Sequence, residues 1–201
     1  MLALLLAAVA AGCFGGTKSR SRSSVVRVES KRLGPPRLQQ IGDWIVTRDP
    51  SFKAALAALG NPTRCSLLYR DWSFVEWRPL GVNAVFTTLG GLPKGGDACS
   101  SPASVVVNDA HLSGSRWRTD RGLRIGDPTS RLHSLYPHAT HTTDYHRAFW
   151  DLPGDYWTLV ATTEGCLGAC RSPTTKVSRL MARMGGGRVV AFLVPVGAQG
   201  E

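Results

Sequence analysis

Two stretches of this chain share one plan. Asp49-Pro50-Ser51 opens a run that ends at Pro62, and Asp127-Pro128-Thr129 opens a run that ends at Pro137. Each run carries two leucines three apart, Leu56/Leu59 and Leu132/Leu135, and meets its closing proline within three residues of the second leucine. An aspartate accepts the free N–H groups of a first helical turn. A proline is tolerated at the first helical position, where its missing N–H would be unpaired anyway. Leucines three apart share a helix face, and a later proline forbids continuation. The spacing predicts two short helices, capped by Asp49 and Asp127. The glycines of Gly122-Leu-Arg-Ile-Gly126 do not make a phosphate loop, because the Gly-Lys-[Ser/Thr] ending that such a loop requires is absent.

Strand-like segments surround both predicted helices. Val25-Val-Arg-Val28 and Asp43–Thr47 precede the first, and Ser66–Trp77 and Gly81–Phe86 follow it. Ala148–Trp150, Tyr156–Thr162, Val177–Met184 and Arg188–Phe192 follow the second. Leu152-Pro153-Gly154-Asp155 has turn chemistry between aromatic segments, and Gly185-Gly-Gly187 has it between the last two. Read together, these elements give an α+β chain of two helix-then-β-meander units with antiparallel sheet, stabilised by disulfides. The boundaries that follow are 1–16 for a leader, 17–40 for a basic flexible linker rich in Ser, Arg, Gly and Pro, 41–118 for the first unit and 119–201 for the second.

An Ile125-Gly-Asp127 opening to a short helix, followed by a β-meander with local cysteines, resembles secreted bacterial modules of the β-lactamase-inhibitor-protein kind. It is also similar to small envelope-assembly lipoproteins. Gly122–Tyr136 and Gly187–Gly197 resemble uncharacterised secreted proteins of high-GC Gram-positive bacteria. The resemblance implies binding to proteins through a concave sheet face, or a part in envelope assembly, and it brings no catalytic residues with it. The chain departs from the family in having no cysteine just before Trp77.

The N-terminus points the same way. Leu2–Ala11 is an unbroken apolar run of ten residues, half of the roughly twenty that a membrane-spanning helix needs. It has the length of a signal-peptide core, although no Lys or Arg precedes it. Two processing readings stand. Ala8-Val-Ala10 suits ordinary signal peptidase, and Ala10-Ala-Gly-Cys13 resembles a lipobox that would place a lipid on Cys13. The expected location is extracytoplasmic, secreted or lipid-anchored to the cell membrane.

The four cysteines outside the leader are Cys65, Cys99, Cys166 and Cys170, an even number that suits an oxidising compartment. Four cysteines allow three pairings. Cys166-Leu-Gly-Ala-Cys170 is a local pair that would pin a loop, and Cys65 with Cys99 would then close the longer one. Zinc is the rival reading, but Cys-x3-Cys is looser than the usual Cys-x2-Cys and has no second pair.

The formal net charge is +10, unevenly placed: Lys18–Arg37 holds seven basic residues and one acid, a net of +6, which leaves +4 for the rest. Nineteen of the 24 basic residues are arginine, as GC-rich coding also produces. Nucleic acid is therefore not an expected partner. A basic tail behind an anchor reads more simply as a linker along an acidic surface.

Two clusters could carry chemistry or recognition. His133, His138, His141 and His146 fall within fourteen residues, with Asp144 beside them, and imidazoles are good ligands for zinc or copper. His138, His141 and His146 would form a metal site if the segment bent back into a strand; otherwise they belong to a polar surface. Trp150, Tyr156 and Trp157 flank the turn at Pro153, and aromatics on one sheet face can stack on a ligand. No Gly-x-Ser-x-Gly is present, and no catalytic residue or cofactor is assigned. The expected function is non-catalytic binding of an envelope or extracellular protein, with metal binding or metal-dependent hydrolysis at the His133–His146 cluster as the alternative.

Overall fold

Twelve strands, two short helices and one 3-10 turn make up the computed structural model, which describes residues 23–29, 38–69, 72–88, 97–102, 105–142, 154–165 and 174–196. Strands β1 (Val25–Glu29), β2 (Leu38–Ile41), β3 (Trp44–Ile45) and β8 (Arg118–Thr119) form a small sheet in the order β3-β2-β1-β8, in which only the β1–β8 pair is parallel. The other eight are β4 (Arg64–Tyr69), β5 (Trp72–Trp77), β6 (Val82–Thr87), β7 (Val106–Leu112), β9 (Thr140–Thr142), β10 (Asp155–Gly165), β11 (Thr174–Gly185) and β12 (Arg188–Pro195). They form one antiparallel sheet in the order β4-β5-β6-β7-β12-β11-β10-β9.

This corrects the expected α+β fold of two helix-then-meander units. The described chain is mostly β. Its two helices, α1 (Phe52–Leu59) and α2 (Thr129–Leu135), span eight and seven residues. The β7–β12 pairing makes a single sheet of the segments that had been assigned to separate units. Two things hid this. Val106–Leu112, which supplies the central strand, had no reading as a strand. The expected single strand Ser66–Trp77 holds the end of β4 and all of β5.

Both helices form where the Asp-Pro-[Ser/Thr] pattern places them, but the caps differ. Ser51 is the N-cap of α1, and its hydroxyl accepts the Ala54 N–H at 3.2 Å. Asp49 instead accepts the Ser51 N–H at 2.9 Å, so its carboxylate shapes the turn before the helix. The N-cap of α2 is Pro128, which has no side-chain acceptor. Asp127 accepts the Arg124 N–H at 2.8 Å. Gly126 donates to Val189, Thr129 donates to Gly187, and Val189 donates to Asp127. The segment Gly126–Thr129 is thus zipped onto the β11–β12 hairpin, whose tight turn is Gly186-Gly187, both with positive φ.

The core lies on one face of the large sheet, beneath the small sheet and the helices. One row of residues runs straight across seven strands on this inner face: Trp77, Val82, Leu112, Phe192, Ala182, Trp157 and His141. The first five are buried in the main core, with Val26 and Ile41 from the small sheet, Phe52 and Leu59 from α1, and Leu132 from α2. Phe52 sits edge-on to Phe86 with centroids 5.0 Å apart, and Trp44 stacks on Phe86 at 6.1 Å. Three buried tryptophans each place the indole N–H on a backbone carbonyl: Trp44 on Asp49, Trp77 on Gly60 and Trp117 on Leu80. The polar tip of each large ring is thereby satisfied.

Part of the stretch expected as linker, 17–40, contributes to this core, since Val26 and Val28 of β1 are buried. Gln39 of β2 is buried too, and its amide donates to the Pro195 carbonyl at 2.7 Å, tying the small sheet to the end of β12.

Candidate functional site

A sheet of eight strands has two edges, and edges are where backbone N–H and C=O groups are left for other partners. Among the described residues, one edge is β4. Its neighbour β5 alternates in burial, with Ser73, Val75 and Trp77 inside, so β5 is a regular half-covered strand. β4 is different. Leu67 and Leu68 are both 44% exposed, adjacent, and next to a register irregularity between Leu67 and Tyr69. Between Arg64 and Tyr69 the strand reads Cys-Ser-Leu-Leu, with none of the charged or proline residues that commonly blunt an edge. The Cys65–Cys99 disulfide anchors it from the core side, with Cα atoms 6.2 Å apart and 34 residues of sequence between the partners. Ala98, beside the bridge, donates its N–H to the buried Ser73 hydroxyl at 2.9 Å. The result is an edge strand held in place and apolar where it is open.

At the other edge, β9 pairs with β10 through Thr140–Thr142. Trp157 lies on the inner face here, half-buried at the margin of the core. His133 of α2 meets its ring edge-on at 4.6 Å, and His141 of β9 lies against it at 4.9 Å. His141 also contacts the Asp155 carboxylate through Nε2. Two of the clustered histidines therefore converge, on an indole ring and a carboxylate. His138 is exposed in the turn after α2. Among the described residues, no three His, Cys, Asp or Glu side chains form a set that could hold a metal ion.

Tyr156 and Trp157 do not form one aromatic platform. Successive residues of a strand point to opposite faces. Tyr156 is buried on the outer face with Met181 and Leu193 in a second, small cluster, whereas Trp157 faces α2. His146, Trp150, Cys13, Cys166 and Cys170 lie outside the described residues, as do the expected strand Ala148–Trp150 and the first half, Leu152-Pro153, of the expected turn.

One residue that the sequence reading passed over is His111 of β7. It belongs to the outer-face row Glu76, Asn83, His111, Leu193, Met181, Thr158 and is buried. Burial, reinforced by the Arg183 charge, pushes its pKa down to about 4, so the ring is neutral at physiological pH. The alternation of Asp109 and His111 with the apolar Ala110 and Leu112 was the available signal, but it requires Val106–Leu112 to be recognised as a strand first.

The class these features define is a mostly β, disulfide-bonded protein with one long antiparallel sheet; the bridge belongs with an oxidising compartment. No helix among the described residues is long and apolar enough to cross a membrane. No family model matches the chain, and no curated protein matches its sequence. Among solved structures, an extracellular protein containing an SCP domain from Bacillus anthracis strain Ames is similar over 72% of this chain, at 12% identity and a TM-score of 0.36. The match covers 42% of that protein's chain. A likeness that distant carries neither a fold nor an activity across.

Proposed function

We propose that this is an exported, non-catalytic binding protein of the cell envelope, and that it holds a protein partner at the β4 edge of its large sheet. The observation that carries the reading is the pair of adjacent exposed leucines on an anchored edge strand. An extended segment of a partner adds to such an edge through main-chain hydrogen bonds, and side chains like Leu67 and Leu68 supply the apolar contact that makes the pairing selective. Export is supported by the signal-like run Leu2–Ala11 and by the Cys65–Cys99 bridge. The resemblance of the Ile125-Gly-Asp127 opening to secreted inhibitor-like and envelope-assembly modules agrees with a role in protein binding. A lipid on Cys13 would keep the protein at the membrane surface.

The test is capture from envelope extract on the immobilised full chain, wild type beside Leu67→Lys/Leu68→Lys. Both side chains are exposed, so the variant should fold. A partner bound saturably by the wild type and lost by the variant supports the reading. The absence of any saturable partner, or equal retention by the variant, refutes it. The metal alternative is tested separately, by metal analysis of protein purified without a histidine tag.

A further inference from the structure

The β4 edge carries a charge whose cross-strand partner is already engaged. The register sets Arg64 opposite Glu76 and Leu67 opposite Ser73. Directly opposite residues share a face of a sheet, and successive residues alternate between faces. Ser73 is buried on the inner face, and Glu76 belongs to the outer-face row. Arg64 and Ser66 therefore lie on the outer face, and Cys65 and Leu67 on the inner one. The Glu76 carboxylate pairs with Arg78, whose Nε lies 3.0 Å from it. Arg64 is exposed, and among the described residues its guanidinium has no hydrogen-bond or ion-pair partner.

The start of β4 is fixed in place. Thr63 donates its N–H to the Glu76 carbonyl at 2.7 Å and its hydroxyl to the same carbonyl at 2.8 Å. That hydroxyl accepts the Arg78 N–H at 3.1 Å. One residue after Arg64, the Cys65–Cys99 bridge holds the strand again. Arg64 thus stands between two fixed points, which reduces the cost of ordering it in a contact. From Arg64 to Leu67 the pairing with β5 is unbroken, and the irregularity lies beyond, between Leu67 and Tyr69. A strand added along β4 can keep one register over these four residues.

We infer, on the reading that β4 is the partner edge, that the added strand is an acidic extended segment running antiparallel to β4, with an apolar residue opposite Leu67 and a carboxylate opposite Arg64. Every pair in the large sheet is antiparallel, and antiparallel pairing is slightly the more stable per residue. That direction makes the partner's sequence apolar-x-x-acid, read from its N-terminus. Its two recognised side chains fall on opposite faces. The apolar one meets Leu67, with the exposed Leu68 beside it. The carboxylate meets the Arg64 guanidinium fork, which matches its two oxygens. Opposite charges directly across a strand pair stabilise it, and like charges destabilise it. An acidic segment also suits a chain of formal net charge +10.

The probes are labelled, threonine-rich peptides with capped ends, titrated against the full chain at low salt. One carries Leu-x-x-Glu, one Leu-x-x-Lys, and one Leu-x-Glu, in which the acid moves onto the leucine's face. Leu-x-x-Glu should bind about fivefold tighter than either of the others. Arg64→Ser should erase this preference, and Arg64→Glu should reverse it between the glutamate and lysine peptides. Equal affinity for the three peptides in wild type, or a preference that survives in Arg64→Ser, would overturn the acidic register while leaving the β4 edge standing. Leu67→Ser/Leu68→Ser removes the apolar contact without adding charge, and undiminished binding there would refute the edge itself. Binding of none of the peptides would overturn this partner class, and capture from envelope extract would still judge the edge. A stable dimer of the protein alone, dissolved by Leu67→Ser/Leu68→Ser, would put a second copy of the chain on β4 and overturn the assignment as well.

Discussion

Ser51 and Asp127 show how a correct reading of an element can rest on the wrong atom. Both helices begin where Asp-Pro-[Ser/Thr] predicts, yet the acceptor for the first turn of α1 is the Ser51 hydroxyl, one proline later than the aspartate. Ser51→Ala should therefore cost about 1 kcal/mol of stability, read as a shift in denaturant midpoint. Asp127→Ala removes a turn acceptor from the Arg124 N–H and should cost no more than that. His111 makes a sharper test. Its folded pKa is depressed from 6.5 to about 4, so the folded state favours the neutral ring. Its stabilising contribution is complete above pH 6.5 and is lost as the pH falls from there towards 4, because the unfolded chain takes up the proton first. The gap corresponds to roughly 3 kcal/mol. Acid acts on the whole chain, so the informative quantity is a difference. The fall in thermal midpoint between pH 7.5 and pH 4.5 should be several degrees smaller in His111→Gln than in wild type. Equal falls would contradict the burial of this ring.

The elements were legible to different degrees, for physical reasons. β6 and β12 were readable because apolar residues cluster or alternate there between glycines, and the β11–β12 turn because consecutive glycines tolerate positive φ at both positions. β7 was not readable: Asn108, Asp109 and His111 break the apolar pattern, and the burial of Asp109 and His111 follows from a long-range pairing with β6 and β12 that no local window contains. β2 was hidden in polar sequence, since Gln39 and Gln40 look solvated until Gln39 is seen bonded to Pro195. The candidate site divided in the same way. The Cys65–Cys99 bridge was within reach of cysteine counting, whereas the opposite facing of Tyr156 and Trp157 needed the register. Gly81 illustrates a constraint that only the packing reveals. It is left-handed, at φ +62, and a Cβ added there would lie 2.5 Å from the Gly114 nitrogen, where the turn before β6 meets the segment after β7. Gly81→Ala should cost about 3 kcal/mol, as strained φ and backbone overlap add; a melt within a degree of wild type would refute the close approach. Reduction of Cys65–Cys99 releases a loop of 34 residues' separation and should lower stability by about 4 kcal/mol on the chain-entropy estimate, measured by denaturant unfolding with and without reductant.

For the whole molecule, the strand order β4-β5-β6-β7-β12-β11-β10-β9 decides what is available to a partner. The middle of the sheet is committed on its inner face to the small sheet and helices, and at Tyr156, Met181, Leu193 and His111 the outer face is buried as well. The two edges are not equivalent. The β9 edge is tied to α2 through His133, Trp157 and His141, while β4 presents Leu67 and Leu68 to solvent on a strand fastened by a disulfide. If β4 receives the partner as an added strand, its own backbone amides must change state on binding. Hydrogen–deuterium exchange across Arg64–Tyr69, measured with and without the partner captured from envelope extract, reads that change directly. The account predicts slower exchange in β4 on binding, with Thr140–Thr142 of β9 unaffected. Unchanged exchange in β4 while the partner is demonstrably bound would contradict it.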